Sequence, residues 1–251
     1  MLVTTEAIVL RSRKQGDTSK IVSLYTLDFG LVDVIAKGAR EMKSKFGSAL
    51  EPFTYSKATF YKKDGRDLHL LSNAEVVTPF RNLQSDLEHI ESATKVIELL
   101  LRAQHHEESH PELFRLVKET LQVMNESKSV ASVLFAYYLK YISFAGFAMK
   151  IDDDTADADV TRYFDIEKGE VIEVHSSSNA HSERLQKLTP ETFASLKHLS
   201  RCDIKNSSSL RLSANARYVL DSLFRAYFSV HIEGMQHHKS KSGKVFSAMG
   251  K

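Results

Sequence analysis

The chain has 251 residues, 42% of them hydrophobic and 26% charged, with a formal net charge of +2. That is the profile of a globular protein with room for two modest domains or one large one, and it excludes a disordered chain. No apolar run approaches the roughly 18 residues of a membrane-spanning helix. The first residues lack the basic flank and cleavage pattern of a secretory signal, and a single cysteine, Cys202, allows no internal disulfide. The expected location is cytoplasmic.

The small net charge hides an asymmetry along the chain. Residues 1–80 carry 12 basic and 9 acidic groups, whereas residues 151–183 carry 2 and 10, and residues 184–251 carry 12 and 4. Residues 1–80 read as β structure. Ala7 to Leu10 forms a first strand and Arg11 to Asp17 a basic turn, followed by a second strand at Ile21 to Tyr25. Leu27 to Gly30 then turns into a third strand, Leu31 to Ala36, that is apolar except for Asp33. From it hangs a cationic loop in which Lys37, Arg40, Lys43 and Lys45 fall within nine residues, opposed by Glu41. Thr54 to Tyr61 and Leu68 to Leu71 complete five strands, joined by Lys62-Lys63-Asp64-Gly65-Arg66. Five short strands with turn signals suit an OB-fold-like barrel over residues 1–80.

Beyond Pro79 the apolar spacing becomes helical, so residues 81–251 are expected to form a mainly α-helical domain and the whole chain an α+β protein. A helix from Arg81 ends near His105 and His106, Pro111 to Met124 forms a second, and Val130 to Phe144 a third, stopping at Gly146. Phe114, Phe135, Tyr137, Tyr138, Tyr141, Phe144 and Phe147 read as core at this spacing. Within the acidic segment 151–183, Tyr163 to Ile166 and Val171 to Val174 form a small inserted hairpin. The acidic residues from Asp152 to Asp159 lack the glycine and glutamate of a calcium loop. Thr189 caps a helix through Leu199, Ser209 to His231 is the last long helix, and the residues from Gly234 form a mobile tail.

No catalytic constellation emerges. His105, His106 and His110 cluster at a helix end, where cations suit the dipole, and there are neither cysteine pairs nor a phosphate-cradling loop. Asp28-Phe29-Gly30 is a turn rather than part of a kinase. Neither a metal site nor a cofactor is expected.

Gly16-Asp17-Thr18-Ser19, Gly30-Leu31-Val32, Ala36-Lys37-Gly38-Ala39-Arg40, Ser44-Lys45-Phe46-Gly47 and Leu50-Glu51-Pro52-Phe53, in that order, resemble the N-terminal domain of the bacterial recombination mediator family RecO. The later parts are similar too: a helical bundle reaching Gly146-Phe147, an inserted hairpin segment and closing helices. Many members carry two Cys-x-x-Cys pairs in that insert as a zinc site, and this chain departs from them there, having Cys202 alone. The resemblance implies a non-catalytic, nucleoid-associated protein of DNA repair. It would bind single- and double-stranded DNA, act on single-strand-binding protein, promote annealing, and work with RecR in loading RecA.

The charge layout makes Arg11, Arg13, Lys14, Lys20, Lys37, Arg40, Lys43 and Lys45 the expected DNA-contacting face. Phe46, Tyr55 and Tyr61 are candidate stacking rings. For the acidic, apolar-ended tail of single-strand-binding protein, the helical domain offers Tyr137, Tyr138, Tyr141 and Phe144 beside Lys140, with Arg102, Arg115 and Lys118 on nearby helices. The alternative is a protein–protein adaptor with only weak nucleic-acid affinity.

Overall fold

The computed structural model describes residues 1–63, 65–103, 108–151, 160–175 and 184–232. The first strand, β1 (Leu2–Gln15), is followed by β2 (Ser19–Thr26), β3 (Gly30–Ala36), β4 (Thr54–Tyr61) and β5 (Leu68–Pro79), which close into a barrel in the order β1-β2-β3-β5-β4. All pairings are antiparallel except β3 with β5, so the sheet is OB-like. Alternation along the strands fills the interior with Val3, Ala7, Val9, Val22, Leu24, Val32, Val34, Ala58 and Phe60.

Two strand expectations and the reading of the cationic loop need correction. β1 runs on to Gln15, so Arg11, Arg13 and Lys14 are strand residues and the turn is only Gly16 to Thr18. A bulge between Val9 and Arg11 breaks the apolar alternation there, which is why the sequence reads as if the strand ended. β5 extends past Leu71 to Pro79, with further irregularities opposite Phe60 and Ser56. The cationic loop also contains a 3-10 turn, Gly47–Leu50, and buries Phe46, Ala49 and Leu50 in the barrel core. Each large apolar anchor of this kind contributes about 1.5–3 kcal/mol, so the loop is fixed at its C-terminal end.

After a 3-10 turn at Arg81–Gln84 come α1 (Leu87–Ala103), α2 (Pro111–Glu126) and α3 (Val130–Phe144). α3 is buried on almost every side and forms the axis of the bundle, with Tyr137 and Tyr141 at its centre. The insert is a three-stranded sheet in the order β7-β6-β8, made by β6 (Val160–Asp165), β7 (Glu170–His175) and β8 (Leu185–Leu188), and the sequence reading had missed its third strand. Phe164 and Leu188 seat it on the bundle, and the Tyr227 hydroxyl donates to the Phe147 carbonyl at 2.8 Å beside it.

α4 (Pro190–Arg201) starts where Thr189 accepts a hydrogen bond from the Thr192 N–H at 3.1 Å. A short α5 (Ile204–Ser207) precedes α6 (Ala214–His231). The last helix therefore begins at the Ser213 cap rather than at Ser209. His105 and His106, the acidic residues 152–159 and the C-terminal residues 233–251 lie outside the described residues.

Barrel and bundle share one apolar core. Ile8, Leu10, Tyr25, Leu31, Phe53 and Tyr55, on the outer face of the barrel, belong to the same cluster as Leu83, Phe114 and Tyr137. Glu6 also lies at this joint: its carboxylate accepts from the Tyr55 hydroxyl at 2.5 Å, and Lys118 Nζ from α2 reaches both, at 3.4 and 3.2 Å.

Candidate nucleic-acid interface

The β1–β2 turn and the cationic loop emerge at the same end of the barrel, because Lys20 at the start of β2 pairs with Ala36 at the end of β3. Gly16 makes the tight turn with φ +57°, a conformation that costs glycine nothing. Two bonds from Arg40 tie loop to turn: its backbone N–H donates to the Thr18 carbonyl at 2.9 Å, and its Nη1 donates to the Gly16 carbonyl at 2.9 Å. The eight basic residues singled out from the sequence fall into two kinds. Arg11 donates to Ser23, whose hydroxyl donates to Asp33; Lys20 pairs with Glu51 at 3.0 Å; and Lys45 donates to the Ser72 carbonyl at 2.6 Å. With Arg40, these three hold the end of the barrel in shape.

Arg13, Lys14, Lys37 and Lys43 are exposed and, among the described residues, their side chains have no hydrogen-bond or ion-pair partner. Their nearest acidic neighbours in sequence are Asp17, Asp33 and Glu41. Two of these cations lie at the end of β1 and two on the loop after β3, so four exposed cations without an ion-pair partner among the described residues lie at one end of the barrel.

The stacking rings separate in the same way. Phe46 is buried in the barrel core, Tyr55 lies in the joint with the bundle, and Tyr61 is 45% exposed. The residues proposed to hold an acidic tail do not surround an apolar depression. Tyr137, Tyr138 and Tyr141 are core, Lys118 is engaged by Glu6 and Tyr55, and Arg102 and Arg115 are exposed. Lys140 borders a polar cavity of about 390 Å³ shared with Glu119, Asp203 and Lys205. Tyr141 in particular, 1% exposed, has no ring surface to offer a peptide. Sequence reasoning had missed a groove of about 200 Å³ between α1, α3 and α6, with Ala131, Leu134 and Phe135 as its floor and a rim on which Lys95 pairs with Asp221 at 2.8 Å and Arg217 with Glu88 at 3.0 Å beside Glu91. Among the described residues no cluster of histidine, cysteine or carboxylate side chains is arranged to hold a metal, and no helix is long and apolar enough to cross a membrane.

Comparison with known proteins adds the family. Residues 1–80 match the family described as "Recombination protein O N terminal", and residues 84–241 match "Recombination protein O C terminal". A "DNA repair protein RecO" of Prosthecochloris aestuarii is 28% identical over 246 residues, 93% of each chain. One from Salinibacter ruber is 36% identical over 158 residues, covering 62% of this chain and 61% of that protein. One from Alkaliphilus metalliredigens is 26% identical over 238 residues, 93% and 95% of the two chains. With both halves matched in order on a barrel-and-bundle architecture, the chain belongs to the recombination protein O family of DNA repair proteins.

Proposed function

We propose that this protein is a non-catalytic recombination mediator that binds single- and double-stranded DNA through the cationic end of its barrel and promotes strand annealing. In the same reading it works with RecR to load RecA onto DNA coated with single-strand-binding protein, as a cytoplasmic, nucleoid-associated factor. The observation that carries the DNA-binding step is the pair of Arg40 bonds that join turn and loop, bringing the unpaired Arg13, Lys14, Lys37 and Lys43 onto one end of the barrel. Phosphate neutralisation by such side chains releases counterions, and affinity then falls with salt by roughly 0.7 logarithmic units per contact for a single strand.

For the acidic tail of single-strand-binding protein the helical domain remains the proposed location. Lys140, Arg102 and Arg115 are exposed or partly exposed side chains that can steer an acidic peptide. A single-stranded oligonucleotide titrated across a range of salt tests the DNA-binding reading. Steep salt dependence supports it, and weak, salt-insensitive binding favours the protein–protein adaptor.

A further inference from the structure

The outer face of the barrel is covered by the bundle only in part. At the start of β4, Tyr55 lies in the shared core, but at its far end Tyr61 does not. Leu2 of β1 lies opposite Tyr61, Tyr61 opposite Leu70 of β5, and Leu70 beside Ile35 of β3. The strand neighbours Val3, Phe60, His69 and Leu71 are buried, so alternation turns Leu2, Tyr61, Leu68 and Leu70 outward. They remain open, with Leu70 38%, Leu68 40%, Tyr61 45% and Leu2 53% exposed.

An exposed apolar row calls for an occupant, and the charges on either side of it select one. Tyr61 and Leu70 lie on strands paired on both sides, so a partner meets side chains there rather than a free backbone edge. On one side of the row is the loop Lys62-Lys63-Asp64-Gly65-Arg66-Asp67, in which both signs alternate. On the other, beyond the neutral row Thr4, Thr59 and Asn73, Lys57 of β4 lies directly opposite Glu75 of β5. Lys57, Lys63, Asp67 and Glu75 are exposed, and among the described residues none of them forms an ion pair. The β4 side thus carries Lys57 and Lys63, and the β5 side Glu75 and Asp67. A partner of one sign meets like charge on half of this face. A second copy turned about an axis along the strands between β4 and β5 does not, because that rotation exchanges β4 with β5. Lys57 then faces Glu75 of the other copy, Lys63 faces Asp67, Tyr61 faces Leu70 and Leu2 faces Ile35, each contact occurring twice.

We propose that this face of the barrel pairs two copies of the chain about a two-fold axis between β4 and β5, with Tyr61 and Leu70 at the centre of the contact and Lys57 and Glu75 at its edge. The apolar part of the face is small beside the roughly 20–30 residues a side of a standard interface, so the dimer is weak and its population rises with protein concentration. A dimer carries two cationic barrel ends and can hold two strands at once. This consequence for annealing, unlike the pairing itself, rests on the DNA-binding reading above.

The test is sedimentation velocity of the full chain without DNA over a wide range of protein concentration, where the sedimentation coefficient should rise from that of a monomer toward that of a dimer. Tyr61→Ser/Leu70→Ser, at exposed positions, should raise the dissociation constant by about tenfold or more. Glu75→Lys sets Lys57 against a lysine of the other copy, and Lys57→Glu sets Glu75 against a glutamate, so each variant alone should dimerise more weakly. An equimolar mixture of the two restores opposite charges at both edges and should recover the dimer, which also shows that both variants are folded. A protein that stays monomeric at every concentration overturns the pairing and leaves the face to a different partner protein. A dimer indifferent to Tyr61→Ser/Leu70→Ser, or charge variants that do not recover on mixing, overturns it as well. Dimerisation together with oligonucleotide binding that ignores salt would support the pairing and refute the DNA-binding reading.

Discussion

The joint between barrel and bundle depends on Tyr55, and the effect of loosening it follows from the geometry. The Tyr55 hydroxyl donates to Glu6 and accepts from Lys118, whose ammonium also lies 4.6 Å from the centre of the Tyr55 ring. Tyr55→Phe keeps the ring and removes both hydrogen bonds, whereas Lys118→Met keeps the stem and removes the charge. Hydrogen bonds to charged groups contribute about 1.5–3 kcal/mol when enclosed. Lys118 and Glu6 keep 33% and 42% of their side-chain surface, so solvent screening brings each substitution down to about 1–1.5 kcal/mol.

The shared bond makes the two substitutions non-additive, and a double-mutant cycle by urea unfolding should show coupling of about 1 kcal/mol at neutral pH. The Tyr55 hydrogen bond, assisted by the Lys118 charge, holds the Glu6 carboxyl below its ordinary value of 4.5. Burial opposes the Lys118 ammonium, but the Tyr55 hydroxyl and Glu6 outweigh it and raise its pKa. A carboxyl whose pKa is lowered on folding stabilises above its unfolded value, and that contribution fades as pH falls through the folded one. The Glu6 part of the joint is therefore complete above about pH 5 and lost in stronger acid. Additivity within about 0.3 kcal/mol at neutral pH would refute the idea that these three side chains act together.

Three further outcomes follow from single positions. Gly30→Ala should cost at least about 2 kcal/mol in urea unfolding, because φ is +63° and the new Cβ would lie 2.0 Å from the Glu108 carbonyl oxygen. Asp86, which accepts from the His89 side chain and backbone N–H at the start of α1, is held at about 2. Its stabilising effect is present above its ordinary 3.8 and lost as pH falls toward 2, and His89→Ala should raise its titration midpoint in an NMR titration. Elemental analysis of the purified protein should find no stoichiometric zinc. Burial pushes the Cys202 thiol up, the opposite of what a thiolate ligand needs, and a tightly held equivalent of the metal would overturn this.

Much of this architecture can be read in the residues, and the failures share a cause. β4, α2, α3 and the Thr189 cap are recognisable because each depends on local chemistry: alternation, a first-turn proline, helical spacing or a hydroxyl three residues before the N–H it caps. β1 looks four residues long because its bulge shifts the alternation and its last third, Arg11 to Gln15, is polar. β8 is short and amphipathic, and it is a strand only because β6 pairs with it.

At the candidate site, eight basic residues stand out, but their division into struts and free cations rests on partners distant in sequence. Arg40 meets Gly16, Lys45 meets Ser72 and Lys20 meets Glu51. Tyr55 fails as a stacking ring because its partner Lys118 is 63 residues away.

The central claim is that four unpaired cations at one end of the barrel neutralise DNA phosphates. The direct test is the salt dependence of single-stranded oligonucleotide binding by Arg13→Ala/Lys14→Ala/Lys37→Ala/Lys43→Ala beside the unaltered protein, with Lys20→Ala/Arg40→Ala/Lys45→Ala as comparison. At roughly 0.7 per neutralised phosphate, the four-residue variant should bind more weakly with its slope reduced by about two to three. The comparison variant, which removes three engaged side chains, should change the slope by less. A four-residue variant with the slope of the unaltered protein would contradict the assignment of this end of the barrel to DNA.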